Sequence, residues 1–170
     1  PSTFEYAVTS AASLTHYFTK ARRAVGLIVA GQKSIVIPAD RSTRQEEKIL
    51  ETLAFIQSTG ELSMEALVAT QAGQLPQGSS AVLITASVRP EIMHAVDDLL
   101  RRNQRPTVVL LDAESFGSEK SNAALVESLR KINVPVCRVL CGDDLEKALS
   151  NISGTTSTKE NFLWREPFTP

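Results

Sequence analysis

The sequence predicts an α/β domain of three layers, built on a mostly parallel β-sheet with one antiparallel hairpin at its edge. In the second half of the chain, short apolar runs alternate with helical patterns, at Ala81–Thr85, Thr107–Leu111 and Val134–Leu140. Strands that alternate with helices are typical of a parallel sheet covered by helices on both faces. Nearer the beginning, the apolar run Ala24–Ala30 is followed after a short turn by Ser34–Ile37. A connection this short allows only an antiparallel hairpin.

The composition is that of an ordinary globular domain. Of 170 residues, 42% are apolar and 22% are charged, which suffices for a hydrophobic core. The formal net charge is −1, so we expect no nucleic-acid partner and no contact with an anionic membrane surface. Basic clusters around Arg22 and Arg102 are interpreted as helix ends, where cations suit the helix dipole. Because the chain begins at Pro1 without a methionine, we expect a segment of a longer protein.

The first helix and the hairpin are predicted from residues 2–38. Ser2 and Glu5 have the spacing of a capping box, which places the start of a helix at Ser2. Apolar residues then recur at steps of three and four, as one helix face requires: Phe4, Ala7, Val8, Ala11, Leu14 and Phe18. Pro38 at the end of the hairpin suits an edge strand, because proline has no N–H to donate.

Two helices are predicted between the hairpin and the next strand. Ser42 or Thr43 is placed to cap the first of them, and Gly60 ends it. Its apolar face consists of Ile49, Leu50, Leu53 and Ile56. Ser63 is placed to cap the shorter helix that follows.

Three β-then-α units complete the predicted domain. Pro90 opens the helix after the strand Ala81–Thr85, and its apolar face consists of Ile92, Met93, Val96, Leu99 and Leu100. Residues 122–132 form the next helix, and Asp143 or Asp144 caps the last. Arg138 interrupts the apolar pattern of Val134–Leu140 and Pro135 has no N–H to donate, so this segment is predicted to be an edge strand.

The character of the sequence changes after residue 150. Residues 1–150 are predicted to form the domain, and residues 151–170 a polar linker followed by an aromatic tail. Large apolar side chains are expected to pack on this domain or on a neighbour rather than face water. The predicted residues of self-association are Phe162, Leu163, Trp164 and Phe168.

Five segments, in this order, carry a resemblance to a known family. They are residues 4–31 (FEYAVTSAASLTHYFTKARRAVGLIVAG), 37–53 (IPADRSTRQEEKILETL), 75–85 (LPQGSSAVLIT), 108–117 (VVLLDAESFG) and 135–149 (PVCRVLCGDDLEKAL). Their order and spacing resemble the von Willebrand A domain. More narrowly, they are similar to the C-terminal part of the bacterial proteins filed as domain-of-unknown-function family fifty-eight. The resemblance spans about residues 3–150.

The resemblance implies a Rossmann-like von Willebrand A fold that lacks its first central strand. In the family that strand lies between the equivalents of Ala24–Ala30 and Ala81–Thr85, and its Asp-x-Ser-x-Ser loop supplies most ligands of a Mg²⁺ site. This sequence begins after that point, and it has no carboxylate in the stretch from Thr85 to Ser87 where the later acidic ligand is expected. Ser63 lies near the place of the family's threonine ligand. We therefore expect Mg²⁺ only if the parent protein supplies the missing motif.

The resemblance also implies a place in a larger assembly. In the family the A-like region follows membrane-spanning helices, and the proteins are often encoded beside MoxR-type AAA ATPases. Their A domains are thought to act as adaptors in the assembly or maturation of complexes. The resemblance therefore implies a cytoplasmic domain of a membrane-anchored parent, with a MoxR-type AAA ATPase as its partner.

No catalytic, cofactor-binding or metal-binding motif is recognised in the sequence. His16 and His94 lie on different predicted helices without ligands at metal-binding spacing, so both are interpreted as histidines of polar helix faces. Cys137 and Cys141 lie four residues apart in one predicted strand. This spacing separates their Cα atoms by about 13 Å, too far for a disulfide. Strand alternation predicts that both are small core residues on the same face.

Polar residues gather at the carboxyl end of the predicted sheet, where open α/β sheets bind ligands. This strand-end rim also includes Gly31 and the stretch from Gly142 to Asp144. We interpret its polar residues first as turn and capping residues, with partner binding as the alternative. The candidate partner-facing residues are Ser63, Thr85, Ser87, Asp112, Glu114 and Asp143.

Three functions are weighed on these observations. The first is a non-enzymatic interaction module that docks a protein partner through the rim. The second is a metal-dependent adhesion-type domain that works only with the missing strand, and the third is a small-molecule-binding or hydrolytic α/β enzyme.

A missing central strand would leave two apolar strands without their common neighbour. Either Ala24–Ala30 and Ala81–Thr85 close up on each other, or the aromatic tail or a second copy of the chain fills the gap. We therefore predict a homodimer to which the tail contributes.

Overall fold

The computed structural model of the chain describes residues 2–31, 34–58, 60 and 62–150, and the predicted linker and tail lie outside them. The helices are α1 (Thr3–Lys20), α2 (Gln45–Phe55), α3 (Met64–Gln71), α4 (Ile92–Arg101), α5 (Ala123–Lys131) and α6 (Leu145–Ser150). The strands are β1 (Val25–Val29), β2 (Ile35–Asp40), β3 (Ser80–Thr85), β4 (Arg105–Leu111) and β5 (Val136–Val139). Each helix and strand predicted from the sequence is present, with shifted ends.

The strands form two sheets that are not hydrogen-bonded to each other within the described residues. β3, β4 and β5 are parallel and lie in that order, and β1 and β2 form an antiparallel hairpin. The α/β class, the parallel strands and the hairpin are therefore confirmed. The prediction of a single sheet with the hairpin at its edge is wrong, because in the described chain no strand pairs with both β1 and β3.

Helices cover both faces of the three-stranded sheet. Side chains of α3, α4 and α5 pack on one face of the sheet, where Leu110 points, and α1 and α6 pack on the other, where Leu111 points. A third apolar cluster lies between α1, α2 and the hairpin and includes Ile37 and Ile49. β4 passes through the middle and is buried from residue 106 to residue 111.

Two predicted helix starts are confirmed by their hydrogen bonds. Ser2 Oγ accepts the backbone N–H of Glu5 at 3.2 Å, and Glu5 Oε2 accepts the backbone N–H of Ser2 at 2.7 Å. This is the predicted capping box, which satisfies two backbone donors that the helix leaves free. At α3, Ser63 Oγ accepts the N–H of Ala66 at 3.2 Å.

At two other helices, α2 and α6, the structure corrects or narrows the predicted N-terminal cap. α2 begins after Arg44, whose side chain makes no capping hydrogen bond, so the prediction that Ser42 or Thr43 caps it is wrong. At α6 the sequence leaves two aspartates as alternatives. Asp144 is the cap, because its Oδ1 lies 3.1 and 3.4 Å from two backbone N–H groups of the first turn.

The hairpin is longer than predicted, because β2 continues through Pro38 to Asp40. The pairing register shifts just after Val25, where Gly26 lies so close to β2 that a Cβ would meet the carbonyl oxygen of Ile37 at 2.7 Å. The buried amide of Gln45 donates to the carbonyls of Val25 (2.6 Å) and Pro38 (2.9 Å). It thereby satisfies backbone acceptors at an irregularity of the ladder.

Candidate functional site

The loop after β3 is shaped by its own hydroxyl groups. Thr85 Oγ1 accepts the backbone N–H of Ser87 at 3.0 Å, and Ser87 Oγ accepts that of Arg89 at 3.1 Å. Short-range bonds of this kind define turns. The interpretation of Thr85 and Ser87 as turn residues is confirmed, and their role toward a partner stays a prediction.

Asp112 forms the one buried ion pair at the rim within the described residues. It follows β4, is 2% exposed, and its Oδ2 accepts from Nη2 of Arg138 at 2.7 Å. Its Oδ1 has no hydrogen-bond partner among the described residues. Arg138 is partly exposed on β5, so this pair fastens the central loop of the rim to the edge strand. Removing the one cation that pairs with a buried carboxylate strongly destabilises a protein, because the negative charge is then buried without a partner.

Two side chains join the loops of the rim to each other and to α1. Ser115 Oγ, in the loop after β4, accepts the N–H of Cys141 after β5 at 2.9 Å. The hydroxyl of Tyr6 on α1 accepts the N–H of Gly142 at 2.9 Å, and its ring packs edge-on against Phe116 at 4.9 Å. The loops after β4 and β5 are thus held together by contacts that span much of the chain.

The remaining predicted rim residues differ from one another. Asp143 Oδ2 accepts the N–H of Leu140 at 2.8 Å and closes the turn after β5. Glu114 is exposed, and within the described part of the chain its side chain makes no hydrogen bond or ion pair. Ser63 caps α3, which packs against α4, and no hydrogen bond of the described residues joins it to the rim.

The described rim does not fit a Mg²⁺ ion, which requires several oxygens in a near-octahedral array. The carboxylate of Asp112 is bound to Arg138, and the hydroxyls of Thr85 and Ser87 accept backbone N–H groups. In residues 2–31, 34–58, 60 and 62–150, no group of three or more His, Cys, Asp or Glu is placed to hold a metal ion.

Both histidines are exposed and each contacts a carboxylate distant in sequence. His16 Nδ1 lies 2.6 Å from Glu46 Oε1, and His94 Nδ1 lies 3.1 Å from Glu65 Oε1. Hydrogen bonds from His16, and then from Thr19, lower the pKa of Glu46. The prediction that both histidines lie on polar helix faces is confirmed, while their carboxylate partners were hidden by separations of 30 and 29 residues.

The two cysteines do not share one environment, so part of the prediction is wrong. Cys137 is buried in β5, but Cys141 is exposed, because the strand ends at Val139 and Cys141 follows in a turn. Both are free thiols, as the predicted spacing requires. Burial, with the negative charge of Asp143, raises the pKa of the Cys137 thiol to about 11.

We expect the two thiols to react at very different rates. At about pH 8, Cys141 reacts readily with a soluble disulfide reagent, while Cys137 stays protonated and shielded until the chain unfolds. Thiol titration of the native and denatured chain measures this, with Cys141→Ser as the control that removes the fast reaction. Rapid reaction of the one remaining thiol in native Cys141→Ser would show that β5 does not bury Cys137.

The outer edge of β3 is the most unusual feature of the three-stranded sheet. β4 has a neighbour on both sides, and all its residues from 106 to 111 are buried. β3 is just as apolar at Ala81, Val82, Leu83 and Ile84, yet only Leu83 is buried. A continuous apolar run is typical of a strand with neighbours on both sides. In the described chain β3 has one neighbour.

The hydrogen bonds show which backbone groups face outward on β3. The N–H of Arg105 donates to the carbonyl of Ser79 at 2.9 Å, so that carbonyl points to β4. Successive residues of a strand direct their backbone groups to alternate sides. The N–H and C=O groups of Leu83 therefore point to β4, and those of Val82 and Ile84 point away from it.

Helix α1 lies across both sheets. Tyr6, Ala7 and Leu14 pack in the cluster of the three-stranded sheet, and Val8 and Ala11 pack in that of the hairpin. Its strand contacts are with β1, β3 and β4. Within the described residues, β1 and β3 each have one edge without a strand partner, and α1 contacts both strands. We call the space between these two edges the strand gap. The alternative that β1 and β3 pair directly is wrong.

Comparisons of the chain with protein-family models, with curated proteins and with solved structures found no match. The von Willebrand A-like resemblance therefore stays a prediction. Among the described residues, no helix has the length and apolar character needed to cross a membrane.

Proposed function

We propose that this domain is a non-enzymatic protein-interaction module of a von Willebrand A-like kind, which takes an extended segment of a partner as an added β-strand. The observation that carries the proposal is the strand gap: α1 contacts two apolar strands, β1 and β3, and each has one edge that pairs with no strand among the described residues. An unpaired apolar edge is a template for pairing with another chain. In strand addition, backbone hydrogen bonds supply affinity and side-chain pockets supply specificity.

The strand gap dictates what a partner must supply. Val82 and Ile84 present backbone donors and acceptors, so the partner needs an extended backbone with free groups at matching spacing. The flanking strands are apolar, so the partner strand must be apolar on both faces. A second copy of the chain is one candidate, which is the homodimer expected from the sequence. A MoxR-type AAA ATPase is the candidate that the family resemblance implies.

The polar rim supports an adaptor role because most of its side chains make hydrogen bonds within the domain. An enzymatic nucleophile needs an adjacent base that activates it. Within the described residues, neither Ser87 nor Cys141 has a side-chain hydrogen bond to a histidine or a carboxylate. The rim is instead a fixed surface, held by Asp112, Arg138 and Tyr6, beside which a bound strand would end.

The proposal is tested with a fluorescently labelled strand peptide, Lys-Val-Ile-Val-Leu-Lys, and the full chain. We expect saturable binding by fluorescence anisotropy. Ile84→Pro removes an N–H that points into the strand gap and leaves the bonds to β4, so it should weaken binding at least about tenfold. Ile84→Ala is the matched control, because it shortens the same side chain but keeps the N–H, and it should bind nearly as the native chain does.

Equal binding by the native chain and Ile84→Pro would overturn the proposal. So would an absence of saturable binding by every form of the chain. Circular dichroism of Ile84→Pro and Ile84→Ala is the control for folding. If their spectra match, a difference in peptide binding reports on the edge of β3 and not on loss of the fold.

A further inference from the structure

We propose that the groove between α5 and β5 is a second docking site, which binds an extended acidic segment of a protein partner. The groove has a volume of about 500 Å³. It lies at the β5 side of the three-stranded sheet, opposite the β3 edge that borders the strand gap, so the two sites are separate. Its described lining consists of Ala123, Val126, Glu127, Arg130 and Lys131 of α5 and Arg138 of β5.

One face of α5 forms the helical wall of the groove. Glu127 lies three and four positions before Arg130 and Lys131, so the three side chains share a face of the helix. All three residues are exposed. Val126 is 6% exposed and packs in the cluster that joins the helices to the sheet. The wall is therefore charged toward solvent and apolar toward the sheet.

Arg138 forms the opposite wall of the groove, and its guanidinium is already held in place. Its side chain projects to the same face of the sheet as that of Val136, which packs in the cluster on the α5 side. Nη2 of Arg138 donates to Asp112 at 2.7 Å. A guanidinium has five N–H donors. Within the described residues the other four make no hydrogen bond, so they are available to a carboxylate in the groove.

Positive charge exceeds negative charge in the groove, because three of the six lining residues are cations and one is a carboxylate. Arg130 and Lys131 lie in the last turn of α5, where cations suit the helix dipole. Within the described part of the chain they make no ion pair. By contrast, Arg101 and Arg102 at the same end of α4 are each paired with an aspartate. A partner's carboxylates supply the charge that complements the groove.

The length and charge of the groove favour a short extended peptide over a nucleic acid. From Ala123 to Lys131 the axis of α5 rises about 12 Å, which is the length of about four residues of extended chain. Alternate side chains of such a peptide point to the same side about 7 Å apart, so alternating carboxylates can reach more than one cation. Binding to nucleic acid instead neutralises a row of phosphates. Three cations interrupted by Glu127 do not form such a row.

The proposal is tested with the full chain and a fluorescently labelled acidic peptide, Ser-Glu-Ser-Glu-Ser-Glu-Ser. We expect saturable binding by fluorescence anisotropy that weakens as salt is added, since salt screens exposed charges. The same peptide with glutamine in place of glutamate should not bind.

Two double variants locate the binding site of the acidic peptide. Arg130→Gln with Lys131→Gln removes two cations of the groove and should weaken binding at least about tenfold. Arg101→Gln with Arg102→Gln is the matched control, because it removes two cations from the end of α4 and changes the net charge equally. It should bind as the native chain does. All four residues are exposed, and circular dichroism checks that both variants keep the fold.

An equal loss of binding in the two double variants overturns the acidic-peptide site, because the peptide then senses only the net charge. Absence of saturable binding by the native chain overturns it as well. If a single-stranded oligonucleotide binds more tightly than the peptide and is weakened by Arg130→Gln with Lys131→Gln, the groove is a nucleic-acid site and the proposal is wrong. Ile84→Pro should bind the acidic peptide as the native chain does, and a loss there would place the peptide in the strand gap instead.

Discussion

Leu99→Ala is expected to lower the free energy of unfolding by about 3 kcal/mol, while Leu100→Ala should lower it by less than about 1 kcal/mol. The two leucines are neighbours on α4, but Leu99 is 2% exposed and Leu100 is 42% exposed. Leu99 packs in the cluster that joins α3, α4 and α5 to the sheet. Truncating it leaves a cavity, whereas truncating Leu100 removes atoms that already contact water.

Chemical denaturation of the full chain measures this difference, with the two variants as matched controls for each other. Both substitutions replace leucine by alanine in the same helix, so changes in helix propensity cancel. A loss of about 3 kcal/mol also predicts a melting temperature lower by about 10 °C. Equal losses for the two variants would mean that α4 presents a different face to the sheet.

Arg138→Ala is expected to destabilise the domain by about 2 kcal/mol, because it leaves the carboxylate of Asp112 buried without its cation. The partial exposure of Arg138 keeps this figure below that of a fully buried pair. Arg101→Ala is the matched control, since it breaks the exposed ion pair with Asp97. That change should cost less than about 0.5 kcal/mol.

Chemical denaturation of Arg138→Ala and Arg101→Ala measures the two losses in the free energy of unfolding. The double variant Asp112→Asn with Arg138→Ala removes the charge along with its partner and should recover part of the loss. If Arg138→Ala is as stable as Arg101→Ala, the ion pair does not hold the loop after β4. The rim would then be less fixed than its hydrogen bonds indicate.

Local sequence signals were sufficient for most of the elements. The capping box at Ser2 and the cap at Ser63 depend on residues three positions apart, so the sequence shows both partners of each bond. Periodicity identifies α4 but assigns Leu99 and Leu100 equally to its apolar face. A helix repeat does not show which residues of that face the neighbouring helices cover. The packing of α3 and α5 decides that.

Features that depend on distant parts of the chain were not predictable. Gln104 and Asn122 are buried, and their amides donate to the carbonyls of Ala72 and Leu111. Nothing in a sequence pattern distinguishes such residues from ordinary polar loop residues. The pairing of Asp112 with Arg138 likewise joins residues 26 positions apart. The sequence places Asp112 at the rim, but its burial and its cation follow only from the register of β4 and β5.

The division of the strands into two sheets was also not predictable, because the sequence of a strand does not show which strands pair with it. The apolar runs predict β1 and β3 correctly, and each reads as a strand with two neighbours. Pairing partners are set by the whole fold, and in the described residues each has one. The same property that makes these strands easy to recognise makes their open edges the proposed binding site.

The most direct test of strand addition is amide hydrogen exchange, resolved by residue with NMR, in the full chain saturated with the strand peptide. The N–H of Leu83 points to β4 and should exchange slowly with or without peptide. Strand addition predicts that the N–H groups of Val82 and Ile84, which point into the strand gap, become as protected as that of Leu83 when the peptide binds. Rapid exchange of Val82 and Ile84 in the saturated complex would contradict it.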